Sequence, residues 1–168
     1  MTTKTELRAL AKARIKEAQI LFDAKRYDAA TYLCGYAVEL SLKARICQTL
    51  GYTNFPETNK DFLMMTCKII EKSIKSKRFQ NLYNINPNDF CALYNKYFQN
   101  PRFLKVHDLV TLLKFSGVTE KIRSHFSTEW SIVEKWNPEI RYKPIGSHAR
   151  QTAQDMLTST ETLVNAFK

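Results

Sequence analysis

The sequence predicts an all-α bundle. Apolar residues recur at helical spacing through most of the 168 residues. Gly and Pro are scarce, at 4 and 5, and no segment alternates apolar and polar residues over strand length between hairpin turns. The length suits one packed core and is too short for two ordinary domains, so residues 1–168 read as a single domain.

Thr3-x-x-Glu6 reads as a capping box, opening a helix that Leu7, Leu10, Ala11, Ile15, Ala18, Leu21 and Phe22 carry to about Lys25. Arg26-Tyr27-Asp28 then forms a tight corner, with Asp28 the expected N-cap of a second helix that meets no Pro before Gly51. Leu33, Tyr36, Ala37, Leu40, Ala44 and Cys47 make one stripe of that helix, and Val38, Leu42 and Ile46 widen it. A helix apolar on more than one side belongs at the centre of a bundle. Within it stand Glu39 and Lys43, four residues apart, as a surface ion pair or a partly buried polar link.

A loop over 52–59 leads to a helix-like stretch from Asp61 with a basic edge of Lys68, Lys72, Lys75, Lys77 and Arg78, and a short helix is expected from Asp89 to Phe98. Lys105 to Phe115 reads as an amphipathic helix ending near Gly117, and Thr119 as the cap of another running to about Trp136. Asn137-Pro138, Pro144 and Gly146 hold residues 137–146 out of helix. Ser147 is then the expected cap of a last helix with Ala149, Ala153, Met156, Leu157, Thr160, Leu163, Val164 and Phe167 on one face, closing the bundle against the first two.

The formal charge is 26 − 16 = +10, which favours a polyanionic partner such as RNA or a nucleotide. No stretch approaches the ~18 apolar residues of a membrane span. The first residues are charged throughout, so the expectation is a cytoplasmic protein without a membrane partner. Cys34, Cys47, Cys67 and Cys91 are spaced as reduced core residues. With His107, His125 and His148 they form no close ligand set, so no metal or other cofactor is expected.

Three segments carry a resemblance. Arg26-Tyr27-Asp28-Ala29-Ala30 with Tyr36-Ala37-Val38-Glu39-Leu40-Ser41-Leu42-Lys43-Ala44 resembles the opening of HEPN domains. Lys105-Val106-His107-Asp108-Leu109 is similar to the family's His-Asp-Leu helix start, and Trp136-Asn137-Pro138-Glu139-Ile140-Arg141-Tyr142 to its Arg-Tyr segment before the last helix. Residues 52 to 100 resemble an insertion that enlarges the middle of the domain. The resemblance implies a HEPN-like antiparallel bundle that homodimerises. Such bundles are often encoded beside a nucleotidyltransferase or within defence systems, which makes a nucleotidyltransferase or an antitoxin a candidate partner, and many are metal-independent ribonucleases built on Arg, four to six residues, then His.

Two pairs meet that spacing: Arg141 with His148, and Arg102 with His107. Cleavage of RNA by its own 2′-hydroxyl needs a group to take that proton and a cation for the charge developing on phosphate; histidine and arginine suit those roles. Arg141 and His148 are the catalytic candidates, with His148 expected in the first turn of the last helix, where free N–H groups attract phosphate. Tyr142, Lys143, Arg102 and His107 are candidate substrate-binding residues, His107 also being a candidate for a structural role at its helix start. The favoured reading is a HEPN ribonuclease or toxin-like defence component cleaving RNA at a dimer interface. The alternatives are a non-catalytic nucleotide-binding or nucleotidyltransferase-partner module, and a helical interaction subunit.

Overall fold

The computed structural model of the chain describes residues 2–56, 61 and 107–168. The expected basic edge, the short helix at 89–98, Cys67, Cys91 and Arg102 lie outside these residues. Among them are six α-helices: α1 Lys4–Asp23, α2 Tyr27–Leu50, α3 Leu109–Ser116, α4 Thr119–His125, α5 Ser127–Val133 and α6 Arg150–Ala166. A 3-10 helix, Pro138–Tyr142, lies between α5 and α6. The all-α architecture is therefore as the apolar periodicity indicates.

The first helix starts as its capping box dictates. The Glu6 backbone N–H donates to the Thr3 hydroxyl at 3.1 Å, and the Thr3 N–H to Glu6 Oε2 at 2.8 Å. The Thr3 hydroxyl also donates to Oε2 at 2.8 Å, and the bonds from the Thr3 N–H and hydroxyl hold the Glu6 carboxyl below its ordinary pKa. The corner to α2 is a Schellman motif: the Lys25 N–H donates to Phe22 O and the Arg26 N–H to Leu21 O. The left-handed position, commonly glycine, is here Lys25 at φ 59°. At the far end of α2, Gly51 takes the same conformation at φ 69°.

The second helix sits at the centre, packed against α1, α3 and α6. Val38, Leu42 and Cys47 are fully buried beside Leu7, Ala18, Leu109, Leu163 and Phe167. Five local expectations are corrected. Asp28 does not cap α2; the helix begins at Tyr27 with Arg26 as N-cap, leaving the Asp28 carboxylate free to bond elsewhere. His107 and Asp108 precede α3 instead of lying inside it, because the Asp108 side chain accepts from the Val110 N–H and caps the helix. The Thr119–Trp136 stretch is two short helices broken at Phe126, whose φ of −137° is not helical. Thr119 is the first residue of α4, not its cap, and its hydroxyl donates to Leu113 O. Finally, Ser147 donates its hydroxyl to Pro144 O, and α6 begins after Ala149 with no side-chain cap.

Candidate functional site

Residues 28, 32, 35, 36, 39 and 43 follow the i, i+4, i+7 rhythm that places side chains on one side of a helix. On α2 these are Asp28, Tyr32, Gly35, Tyr36, Glu39 and Lys43. The sequence expectations do not single out this stripe, yet both candidate histidines and the candidate Arg141 are held along it.

The stripe first receives the segment after α5. Gly35 leaves room for the Trp136 indole: a Cβ there would lie 2.1 Å from Trp136 Cγ. Tyr32 flanks the same indole, with ring centroids 6.1 Å apart. Trp136 and Ile140 are buried, which seats the 3-10 helix on α2. The Asn137 side chain accepts from the Glu139 N–H and starts that turn. Arg141 follows, exposed, with its guanidinium carbon 4.9 Å from the centroid of the Tyr142 ring. Tyr142 first, and Tyr32 after it, raise the Arg141 pKa above its ordinary value. Tyr142 is 71% exposed and Lys143 is exposed, so both face solvent beside the arginine.

One turn earlier on α2, Asp28 holds the end of the same segment. The Gly146 N–H donates to Oδ2 at 2.6 Å and the His148 N–H to Oδ1 at 2.8 Å. His148 Nδ1 lies 2.9 Å from Oδ1, and the imidazole is 13% exposed. Partial burial alone would raise the Asp28 pKa; the Gly146 and His148 N–H groups and the imidazole outweigh it and leave the carboxyl below its ordinary value. His148 therefore lies just before α6, not in its first turn. Arg141 and His148 are brought beside neighbouring turns of one helix face: His148 is bonded to Asp28, while Arg141 lies near Tyr32 and over the Tyr142 ring.

Three turns further along, Glu39 is 1% exposed and its two oxygens are divided between Lys43 Nζ at 2.5 Å and His107 Nδ1 at 2.9 Å. The Glu39–Lys43 pair is thus a partly buried link, and His107 is its third member. Tyr36, Leu40, Phe55 and His107 border a cavity of about 400 Å³ at this end. The two histidines hang from carboxylates eleven residues apart, a rise of ~16 Å along α2, so they mark separate places. His125, at the end of α4, is exposed and contacts Ser124. Among the described residues no three His, Cys, Asp or Glu side chains converge as a metal-ligand set. Cys34 and Cys47 are buried free thiols, their pKa values pushed up by burial to about 12 and about 11. No helix among the described residues is long and apolar enough to cross a membrane.

This is a helical bundle whose central helix collects an arginine and a histidine from the connection before the last helix. The model of the HEPN domain family matches residues 5–85, which include all of α2 and stop short of Arg141 and His148. No curated protein and no solved structure matches the chain.

Proposed function

We propose that the protein is a metal-independent HEPN ribonuclease in which Arg141 and His148 cleave RNA. The observation that carries this reading is the bond from His148 Nδ1 to Asp28 Oδ1 at 2.9 Å, made one turn from Tyr32 and Arg141 on the same face of α2. An imidazole that donates Nδ1–H to a carboxylate keeps the Nε2 lone pair for a proton. In the proposed step the 2′-hydroxyl loses its proton to His148 Nε2 as its oxygen bonds to phosphorus. The bond to the 5′-oxygen breaks, and the protonated imidazole or a water returns a proton to that oxygen. Arg141, exposed and positively charged, balances the charge developing on the phosphate oxygens. The start of α6 supports the same placement, because Ala149 offers no side-chain acceptor to the first-turn N–H groups next to His148.

Tyr142 at 71% and Ile145 at 100% exposure stand beside this segment, and a second copy of the chain is the proposed cover for them. The toxin-like role, an antitoxin or nucleotidyltransferase partner and a cytoplasmic location belong to the same proposal, as do Lys143, Arg102 and His107 as substrate contacts.

The test is incubation of the purified protein with RNA in a chelator, with the product ends read by mass spectrometry. Fragments ending in 2′,3′-cyclic phosphate are expected, and Arg141→Ala and His148→Ala should each abolish them while circular dichroism is unchanged. Cleavage by His148→Ala at the wild-type rate removes the assignment. A second reading, a non-catalytic nucleotide-binding module, is favoured by the near-complete cover over His148, which suits a latch as well as a base. Nucleotide binding by calorimetry without RNA breakdown is its expected signature.

A further inference from the structure

Cations recur every four residues along one side of α1, at the half-buried Lys4 and Arg8 and the exposed Lys12, so they rise ~6 Å apart on one helix face. With Gln48 of α2 and Lys168 after α6 they border a groove of about 510 Å³. Its floor is apolar, made by the buried Val164 and Phe167, and no acidic residue lines it. Arg8 is oriented there by a hydrogen bond from Nη2 to the Gln48 side-chain oxygen. Among the described residues none of the groove's four cations is paired with an acidic side chain. Ser41 and Gln48 lie roughly 200° around α2 from Asp28, so the groove opens on the opposite side of that helix from Arg141 and His148.

Cations at regular spacing with a partly enclosed apolar floor and no acidic side chain match a ligand that repeats its negative charge along a line. We propose that this groove binds a chain of phosphate groups, as presented by an RNA backbone or by inorganic polyphosphate. The site is separate from the proposed cleavage chemistry and stands whether or not Arg141 and His148 cut RNA.

The experiment uses a short fluorescent 2′-O-methyl oligoribonucleotide, which cannot be cut by its own 2′-oxygen, with fluorescence anisotropy at low salt. Binding by the wild-type chain is expected. The variant Lys4→Gln/Arg8→Gln/Lys12→Gln should weaken it at least about tenfold and flatten the plot of log affinity against log salt by about 2, at ~0.7 per lost single-strand phosphate contact. A control, Lys114→Gln/Arg123→Gln/Lys135→Gln, removes equal charge at exposed positions outside the groove and should change affinity less than about threefold. Inorganic polyphosphate should displace the oligonucleotide. Absence of wild-type binding, equal weakening by both variants, or failure of polyphosphate to compete would each overturn the proposal. Because the probe cannot report cleavage, failure of the nuclease reading leaves these outcomes unchanged.

Discussion

Asp28 and His148 are 120 residues apart in sequence and joined twice in space, at 2.8 Å through the His148 backbone N–H and at 2.9 Å through Nδ1. With the Gly146 N–H on the other carboxylate oxygen, one side chain near the start of α2 fixes the last turn of the connection before α6. The consequence for acid stability has a definite sign. Because the folded Asp28 pKa lies below its ordinary value of 3.8, the unfolded chain takes up that proton more readily. The stabilisation is complete above the unfolded value and is lost as pH falls through the folded one. Thermal unfolding of wild type and Asp28→Asn should differ by a constant gap above about pH 5, and the gap should narrow below about pH 4. A gap independent of pH over that range would place the Asp28 contribution outside its charge.

Gly35→Ala tests the slot beneath Trp136. On helix propensity alone the change gains up to about 1 kcal/mol. Yet the new Cβ would fall 2.1 Å from Trp136 Cγ, and overpacking a buried ring costs about 1–3 kcal/mol. A net loss in urea unfolding, with altered tryptophan emission, is expected. Combining it with Trp136→Leu should give a cost well below the sum of the two single changes.

Lys25→Gly should have the opposite sign. Lys25 is in the left-handed region at φ 59°, where a side chain costs roughly 1–2 kcal/mol that glycine avoids, while glycine gives back up to about 1 kcal/mol in unfolded-chain entropy. A gain of up to about 1 kcal/mol in chemical unfolding is expected.

Removing one member of the Glu39, Lys43 and His107 cluster should be worse than removing two. Lys43→Met leaves the Glu39 carboxylate, 1% exposed, with only His107, and should be destabilised, though by less than the ~3–5 kcal/mol of a fully buried pair because Lys43 is 18% and His107 53% exposed. The double variant Glu39→Gln/Lys43→Met should be less destabilised than Lys43→Met alone, measured by urea denaturation.

Much of this architecture is legible in sequence because it is local. The capping box at Thr3 and Glu6, the glycine stops at 51 and 117 and the crowded apolar surface of α2 each announce themselves within one or two turns. The departures have a different origin. Asp28 has the composition of an N-cap, and only the folded arrangement shows its carboxylate committed to Gly146 and His148. The break at Phe126 carries no Pro or Gly to signal it. Arg141 and His148 are identifiable as a spaced pair, but Asp28, which orients His148, and Tyr32, which lies near Arg141, are more than a hundred residues earlier. The nearest sequence signal was the i, i+4 spacing of those two partners along α2.

The most direct test of the account is single-turnover cleavage of RNA, in a chelator, by wild type and Asp28→Asn under conditions where both are fully folded. If Asp28 orients the imidazole that takes the 2′-proton, the variant should bind RNA with unchanged affinity and cleave it at least about tenfold more slowly. Cleavage by Asp28→Asn at the wild-type rate would contradict the account.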